Sequence, residues 1–325
     1  MTVLVTGAAG FIGFHVSRAL LARGEAVVGI DNLNDYYDVR LKEARLAELT
    51  SVDRFAFERG DVAEDGVLLA LALKHPGITR IVHLAAQAGV RYSIQNPGAY
   101  IHANVQGHYM VLELARRLEE LDHLVYASSS SVYGGNAKRP FSVGDRVDRP
   151  VSLYAATKCS AELISYAYSH LFGLPATGLR FFTVYGPWGR PDMAMYIFTK
   201  AMFEDRPIQL FNHGNMRRDF TYIDDIVDGV LACLDRPPDR HHDAPHRLYN
   251  LGNHRAEELR RVVSLIERET NRQAKIELAP MQPGDVPETF ADIEATTRDI
   301  GFAPRTSIDE GVPRFVEWYR AFHGV

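Results

Sequence analysis

The run Gly7-Ala8-Ala9-Gly10-Phe11-Ile12-Gly13 does most to limit what this chain can become. It follows the apolar stretch Thr2 to Val5 and opens an apolar helical pattern from Phe11 to Arg23. A strand, a tight turn and a helix in that order expose unpaired N–H groups at the helix N-terminus, which suits an anion. Glycines at 7, 10 and 13 permit the close backbone approach that a pyrophosphate needs, with Phe11 and Ile12 in the same turn. The spacing G-x-x-G-x-x-G differs from the commoner G-x-G-x-x-G, and either pattern alone is a modest signal. Its position between strand and helix strengthens it.

Strand and helix patterns alternate through the first half. Thr2 to Val5, Ala26 to Ile30, Phe55 to Glu58, Arg80 to Leu84, His123 to Ala127 and Ala176 to Phe181 read as strands. Phe11 to Arg23, Leu68 to Lys74, Tyr100 to Glu119 and Leu153 to Phe172 read as helices. This order predicts an α/β fold, a Rossmann-type doubly wound parallel sheet whose ligand crevice lies beyond the strands' carboxyl ends. After Gly186 the rhythm becomes irregular, with a helix over Met193 to Phe203 and a short strand at Ile208 to Leu210. Phe315, Trp318 and Tyr319 have helical spacing and are expected to seal a core.

Length and composition are those of an ordinary globular chain: 325 residues, 46% hydrophobic and 24% charged. With a net charge of -5 nothing recommends a nucleic-acid partner, and Arg217-Arg218 is too short a basic run to suggest one. Cys159 and Cys233 offer neither a disulfide framework nor metal spacing, so both are expected to be buried thiols. His241, His242 and His246 fall in the polar stretch Pro237 to His246, read as a solvated loop rather than a metal site. No charged leader with an apolar segment precedes the first strand, and no stretch approaches a membrane-spanning length. The expected location is cytoplasmic.

Candidate cofactor residues follow from the sheet. Asp31 and Asn32 close the second strand, where an acid accepts hydrogen bonds from the adenosine ribose hydroxyls. An added 2′-phosphate would meet like charge there with no adjacent arginine, so NAD is expected over NADP. An aspartate at this point can also cap a helix. Asp61 and Val62 after the third strand are placed for the adenine edge. Leu84, Ala85 and Ala86 after the fourth are small enough to line the path to the nicotinamide. Asn104 fits either a cofactor contact or a brace between loops.

Tyr154 and Lys158 lie four residues apart, so on a helix they share a face. Such a pair in isolation is an ordinary solvent-facing one. Here it follows the fifth strand, with Ser128, Ser129, Ser130 and Ser131 at that strand's end. A phenol of pKa about 10 is a poor base at neutral pH, and a nearby positive charge lowers it. The Lys158 ammonium is therefore expected to favour the Tyr154 phenolate, while Ser129 or a neighbour orients a reacting oxygen. This constellation describes a nucleotide-cofactor redox centre.

Further blocks carry a family resemblance over nearly the whole chain. They are His83-Leu84-Ala85-Ala86-Gln87-Ala88-Gly89-Val90-Arg91-Tyr92-Ser93, Ser128 to Gly134, Phe181 to Ala194, Arg218 to Asp225 and Pro283-Gly284-Asp285-Val286. With the glycine turn and the Tyr/Lys pair, they resemble the extended short-chain dehydrogenase/reductase superfamily. The Thr183 to Ala194 block is similar to the UDP-glucuronic acid 4-epimerases. The resemblance implies that residues 1–180 mainly bind NAD and 181–325 mainly bind UDP-sugar in a smaller α/β unit, with segments interleaved. It implies catalytic roles for Tyr154, Lys158 and Ser129, with Ser130 beside the substrate. It puts Thr183 where glucose/galactose epimerases commonly carry Asn, Arg190 near a uronate carboxylate, Arg218 at the diphosphate and Asp285 near the uridine ribose. Arg91, Tyr92 and Ser93 would form the crevice edge. Two positions depart from the neutral-sugar epimerases: Ala88 replaces their lysine, and Gln282 replaces the arginine of their Arg-x-Gly-Asp motif.

What the resemblance implies is reversible interconversion of UDP-glucuronate and UDP-galacturonate through a 4-keto intermediate. Helices Tyr100 to Glu119 and Leu153 to Phe172 would supply a homodimer face. Related chemistries are UDP-glucuronate decarboxylation and UDP-glucose 4-epimerisation, and a different class is an NAD-binding regulatory protein. From the residues alone, Arg190 could instead support its own loop, and Arg218 could pair with Asp219, Asp224 or Asp225.

Overall fold

The computed structural model describes residues 1–241 and 243–325; His242 lies outside the described residues. Six strands of the first half are β1 (Thr2–Thr6), β2 (Ala26–Asp31), β3 (Phe55–Arg59), β4 (Ile78–His83), β5 (His123–Ser129) and β6 (Ala176–Phe181). With His246–Leu251 they form a seven-stranded sheet in the order His246–Leu251, β6, β5, β4, β1, β2, β3. Every pairing is parallel. Chain order reverses between β1 and β4, and this switch point opens a crevice at the strands' carboxyl ends.

Successive strand residues alternate between two helical layers, as a pleat of period two requires. Val3, Val5, Val27, Val82 and Val125 join one core. Leu4, Val28, Ile81, Leu124 and Tyr126 join the other. On the first face lie helices α1 (Phe11–Ala22) and α2 (Val39–Thr50), with Ile223–Leu234 packed on α1. On the second lie α3 (Val67–Lys74), Gly107–Arg117 and part of Leu153–Phe172. A buried ion pair ties that last helix to the sheet, Arg180 Nη2 standing 2.7 Å from Glu162 Oε2.

Short strands build the smaller part. Thr183–Tyr185 pairs with Phe220–Tyr222, and Ile208–Leu210 with Ile276–Leu278. Arg217–Arg218 lies between Glu257–Glu258 and Glu288–Thr289. Asp219 is the node where these segments meet. It accepts from the backbone N–H groups of Asn253 (2.6 Å) and Ala291 (3.0 Å) and from the Thr221 hydroxyl (2.9 Å). Helix Ile308–His323 closes the core with Phe315 and Tyr319, while Trp318 packs tilted against Trp188 and Trp188 edge-on against Phe14 of α1.

Several expectations need correction. The helix read as Tyr100 to Glu119 begins at Pro97, passes through a π turn at Ile101–Gln106 and ends at Arg117. His246 is not in a loop; it starts the edge strand, with Nε2 2.8 Å from the Tyr126 hydroxyl. Helix α2 is not evident from periodicity because its buried stripe is Leu41, Lys42, Arg45, Leu46 and Leu49, two cations among five positions. Cys159 and Cys233 are buried and free, as expected.

Candidate active site

A cleft of about 1020 Å³ lies along the carboxyl ends of β1 to β6 and runs under the smaller part. At one end the glycine turn is held by Gly7 N–H donating to the Ile30 carbonyl at 2.8 Å. Gly7 has φ of 72°, and a Cβ there would stand 2.8 Å from the Ala85 nitrogen. A Cβ on Gly13 would stand 2.0 Å from the Gly7 carbonyl oxygen, so side chains are excluded at positions 7 and 13. Helix α1 starts after Gly10 with no side-chain cap, and Phe11, Ile12 and Gly13 line the cleft. Its first-turn N–H groups therefore remain for a ligand, and the cradle fits a dinucleotide pyrophosphate.

Asp31, Asn32, Asp61, Val62, Leu84, Ala85 and Ala86 line the same end. Asp31 caps no helix. Its carboxylate accepts from Ala9 N–H at 3.2 Å and Leu33 N–H at 2.9 Å, bracing the two turns against each other. Asn32 donates to Asp61 at 2.9 Å, and Asp61 also accepts from Ala63 N–H at 2.9 Å. Burial opposes charge on Asp61, but the Ala63 and Asn32 hydrogen bonds prevail and hold its pKa below the usual carboxylate value. Asn104 does not line the cleft. Its amide bonds both backbone groups of Gln87 and the Thr157 hydroxyl, so it braces the loop after β4 against the Tyr154 helix. The π turn that carries it aims that amide inward.

Tyr154, Lys158, Ser129 and Ser130 meet in the middle of the cleft. Ser152 caps the helix by accepting from Ala155 N–H, which fixes where Tyr154 and Lys158 emerge. Lys158 Nζ donates to the Ala127 carbonyl at 2.9 Å, and burial lowers its pKa to about 8. The Tyr154 phenol differs from expectation. Burial raises its pKa, opposed by the Ser129 hydroxyl and the Arg190 charge. Lys158 is directed at the β5 backbone, and desolvation of the phenol outweighs the Ser129 and Arg190 contributions. Ser129 accepts from Ser131 N–H at 3.2 Å, which leaves its hydroxyl hydrogen for another partner.

Thr183, Arg190, Arg218, Arg91 and Asp285 line the far end. Arg91 Nη2 donates to Asp285 at 3.1 Å, and its guanidinium lies 4.4 Å from the centre of the Phe211 ring. Arg218 pairs with none of Asp219, Asp224 or Asp225; it donates to the carbonyls of Arg217 (2.9 Å) and Pro287 (3.1 Å). Arg190 forks onto Asp192, with Nε 2.9 Å from Oδ1 and Nη2 in contact with Oδ2. Ser93 is not on the cleft wall: it is buried, and its hydroxyl donates to the Val90 carbonyl at 2.5 Å.

The structure also brings in Tyr36, Lys42, Gln87, Asp192 and Phe211, which no sequence motif assigns. Lys42 comes from α2, and the cations in that helix's apolar stripe are the available signal. Tyr36 sits in the aperiodic stretch before α2 and carries no signal. Asp192 stands inside the block that carries the resemblance, two residues from Arg190. Among the described residues no group of three or more His, Cys, Asp or Glu side chains could hold a metal ion. No helix among them is long and apolar enough to cross a membrane.

A parallel sheet with a glycine turn at its switch point, and a Tyr-x-x-x-Lys pair in the same cleft, defines a short-chain dehydrogenase/reductase fold. More narrowly, the chain belongs to the NAD dependent epimerase/dehydratase family, whose model matches residues 3–252. It is 48% identical to UDP-glucuronate 4-epimerase 4 of Arabidopsis thaliana, over 99% of this chain and 76% of that protein. It is 46% identical to a probable UDP-glucuronate 4-epimerase of Rhizobium meliloti, over 98% and 97%. Among solved structures it superposes on the UDP-glucuronic acid 4-epimerase of Bacillus cereus in complex with UDP-glucuronic acid and NAD. The TM-score is 0.91 and the identity 33%, covering 99% of this chain and all of that one.

Proposed function

We propose that this protein interconverts UDP-glucuronate and UDP-galacturonate by NAD-dependent epimerisation at C4, through a bound 4-keto uronate. The observation that carries the reading is a single cleft that joins the glycine cradle, the Tyr154, Lys158 and Ser129 group, and Thr183 with Arg190. Residues 1–180 mainly hold the cofactor and 181–325 mainly the UDP-sugar, with strand His246–Leu251 returned to the large sheet. The α1 N-terminus holds the pyrophosphate and Asp31 the adenosine ribose. NAD, when bound, supplies the hydride acceptor that returns the same hydride to the opposite face of C4. Tyr154 removes the O4 proton and gives it back; Ser129 orients O4; Lys158 keeps a positive charge beside the pair. Arg218, Arg91 and Asp285 anchor the nucleotide while the hexose turns.

Incubation with UDP-glucuronate, UDP-glucose and UDP-xylose in separate reactions, followed by NMR, tests this reading. UDP-glucuronate is expected to convert to UDP-galacturonate with no net NADH and no appreciable carbon dioxide. Quantitative conversion to a pentose would establish a decarboxylase, and preference for UDP-glucose would overturn the uronate assignment.

Cofactor choice is a second check. Two like charges about 4 Å apart near a protein surface repel by about 4 kcal/mol before relaxation, so Asp31 should reject a 2′-phosphate. Lys42, which feels the charge of Asp31, has its ammonium held by the Asn34 backbone and side-chain oxygens at 2.9 Å each. Calorimetry on cofactor-free protein is expected to show NAD bound at least about tenfold more tightly than NADP. Equal affinity would sink the Asp31 assignment.

The proposed assembly rests on surface chemistry. Leu163, Tyr166, Leu171 and Phe172 are exposed on the Leu153–Phe172 helix, and Ile101 and Tyr109 on the neighbouring one. Such an apolar face suits a C2 homodimer, and two free buried thiols suit the reducing cytoplasm. Light scattering at micromolar protein should report twice the chain mass. A fully active monomer would remove the dimer.

A further inference from the structure

We propose that Asp192, held by Tyr36, is a positioning residue that sets how Arg190 presents its guanidinium to the sugar carboxylate and so prevents loss of carbon dioxide. The inference rests on the uronate reading above and deepens it.

The geometry is specific. One edge of Arg190, Nε and Nη2, is occupied by the two oxygens of Asp192. Nη1 has no hydrogen-bond partner among the described residues. A guanidinium gripped along one edge keeps its remaining donors in a fixed plane, and that rigid fork is what lets arginine orient a second carboxylate. Asp192 is itself held, since the Tyr36 hydroxyl donates to Oδ2 at 3.2 Å. Tyr36 is fixed in turn by its ring, 4.8 Å from that of Tyr92, while Tyr92 lies 6.3 Å from Tyr100 and Tyr100 6.0 Å from Tyr154. Space for the contact is reserved by Gly89: a Cβ there would stand 2.9 Å from the Tyr36 hydroxyl and 3.8 Å from Asp192 Oδ2. Tyr36, Arg190, Asp192 and Tyr154 all line the one cleft. The charges of Arg190 and Asp192 both act on the Tyr154 phenol, in opposite directions, so the pair lies within electrostatic reach of the reacting oxygen.

The chemistry supplies the need. Oxidation at C4 makes the C6 carboxylate part of a β-keto acid. If the C5–C6 bond turns perpendicular to the plane of the C4 carbonyl, it can break heterolytically. Its electron pair then becomes the C4–C5 enolate with charge on O4, carbon dioxide leaves, and a proton taken up at C5 yields a 4-keto pentose. A carboxylate clamped near the carbonyl plane lacks that alignment. Arg190 without Asp192 would still attract the carboxylate but with its plane free to rotate, so affinity would persist while orientation was lost.

Asp192→Asn, Asp192→Glu and Tyr36→Phe, each with NAD bound, are compared with the unaltered protein on UDP-glucuronate. Carbon dioxide and UDP-pentose are measured per UDP-galacturonate formed. This ratio is independent of the fraction of folded enzyme. In Asp192→Asn the ratio is expected to rise about tenfold or more, with kcat for epimerisation falling and KM changing by less than about threefold. Tyr36→Phe should move the ratio the same way by less, and Asp192→Glu should restore part of the control. An unchanged ratio in both Asp192→Asn and Tyr36→Phe, whatever happens to the total rate, would reduce Asp192 to a loop brace and overturn the proposal. Failure of the unaltered protein to convert UDP-glucuronate would bring down the functional reading itself, and this inference with it.

Discussion

Replacing Tyr154 with phenylalanine is expected to reduce turnover of UDP-glucuronate by about 10³-fold while leaving the fold and most of the NAD affinity intact. The variant removes one oxygen and keeps the ring, which packs edge-on to Tyr100 at 6.0 Å between centres. The groups that surround it do not replace the lost oxygen. Ser129 holds an ordinary hydroxyl, Tyr100 already donates to the Ala88 and Gly89 carbonyls, and burial raises the Tyr100 pKa. Lys158 carries a proton to spare but is directed at Ala127. Single-turnover measurement of hydride transfer separates the chemical step from binding, and a rate within about tenfold of the unaltered protein would reject Tyr154 as the proton-transfer group.

Gly13→Ala should act at the other end of the cleft and by a different physical route. The new methyl would stand 2.0 Å from the Gly7 carbonyl oxygen and 3.2 Å from the Ala8 Cα, all backbone atoms with no rotamer to yield. Helix α1 must then move away from the turn. The cost is that of overpacking, about 1–3 kcal/mol in stability, and the displaced N–H groups no longer converge on the pyrophosphate. Calorimetry should show NAD affinity lower by about 100-fold or more, beyond what the stability loss explains. Gly144→Ala, where a methyl meets nothing within 4 Å, is the matched control and should change neither quantity. Normal NAD binding by Gly13→Ala would mean the turn is not the pyrophosphate cradle.

These two variants probe different kinds of order: a phenol whose acidity is set by distant neighbours, and a glycine whose role is set by the turn around it. Local order along the chain carries the fold, through period-two strands, period-3.6 helices and glycines where the backbone must pass close. Such features depend on neighbours within a few residues, and β6, Leu153–Phe172 and Ile208–Leu210 fall on the predicted spans. Helix α2 does not show in the pattern, since Lys42 and Arg45 occupy its buried stripe. They satisfy their charges on Asn34, Ala9 and Trp188 backbone oxygens rather than in solvent. Periodicity holds no information that such partners exist.

The candidate site divides along the same line. Residue types and spacing are enough to select Gly7, Gly10, Gly13, Asp31, Ser129, Tyr154 and Lys158, because each belongs to a short motif whose chemistry is local. Which of the remaining candidates reach the cleft is a matter of folding. Ser93 turns its hydroxyl to Val90, and Asn104 is spent on Gln87 and Thr157. Arg190 is met by Asp192 and, through it, by Tyr36 from far earlier in the chain. Hydrogen bonds and desolvation act through space, so the direction of the Tyr154 pKa and the partner of each arginine are properties of packing. The order of residues suffices for the layered parallel sheet, the nucleotide turn and the selection of Tyr154 and Lys158 as the candidate acid-base pair. Which charges face one another is settled in three dimensions, since it depends on distances between segments that the linear chain does not encode locally.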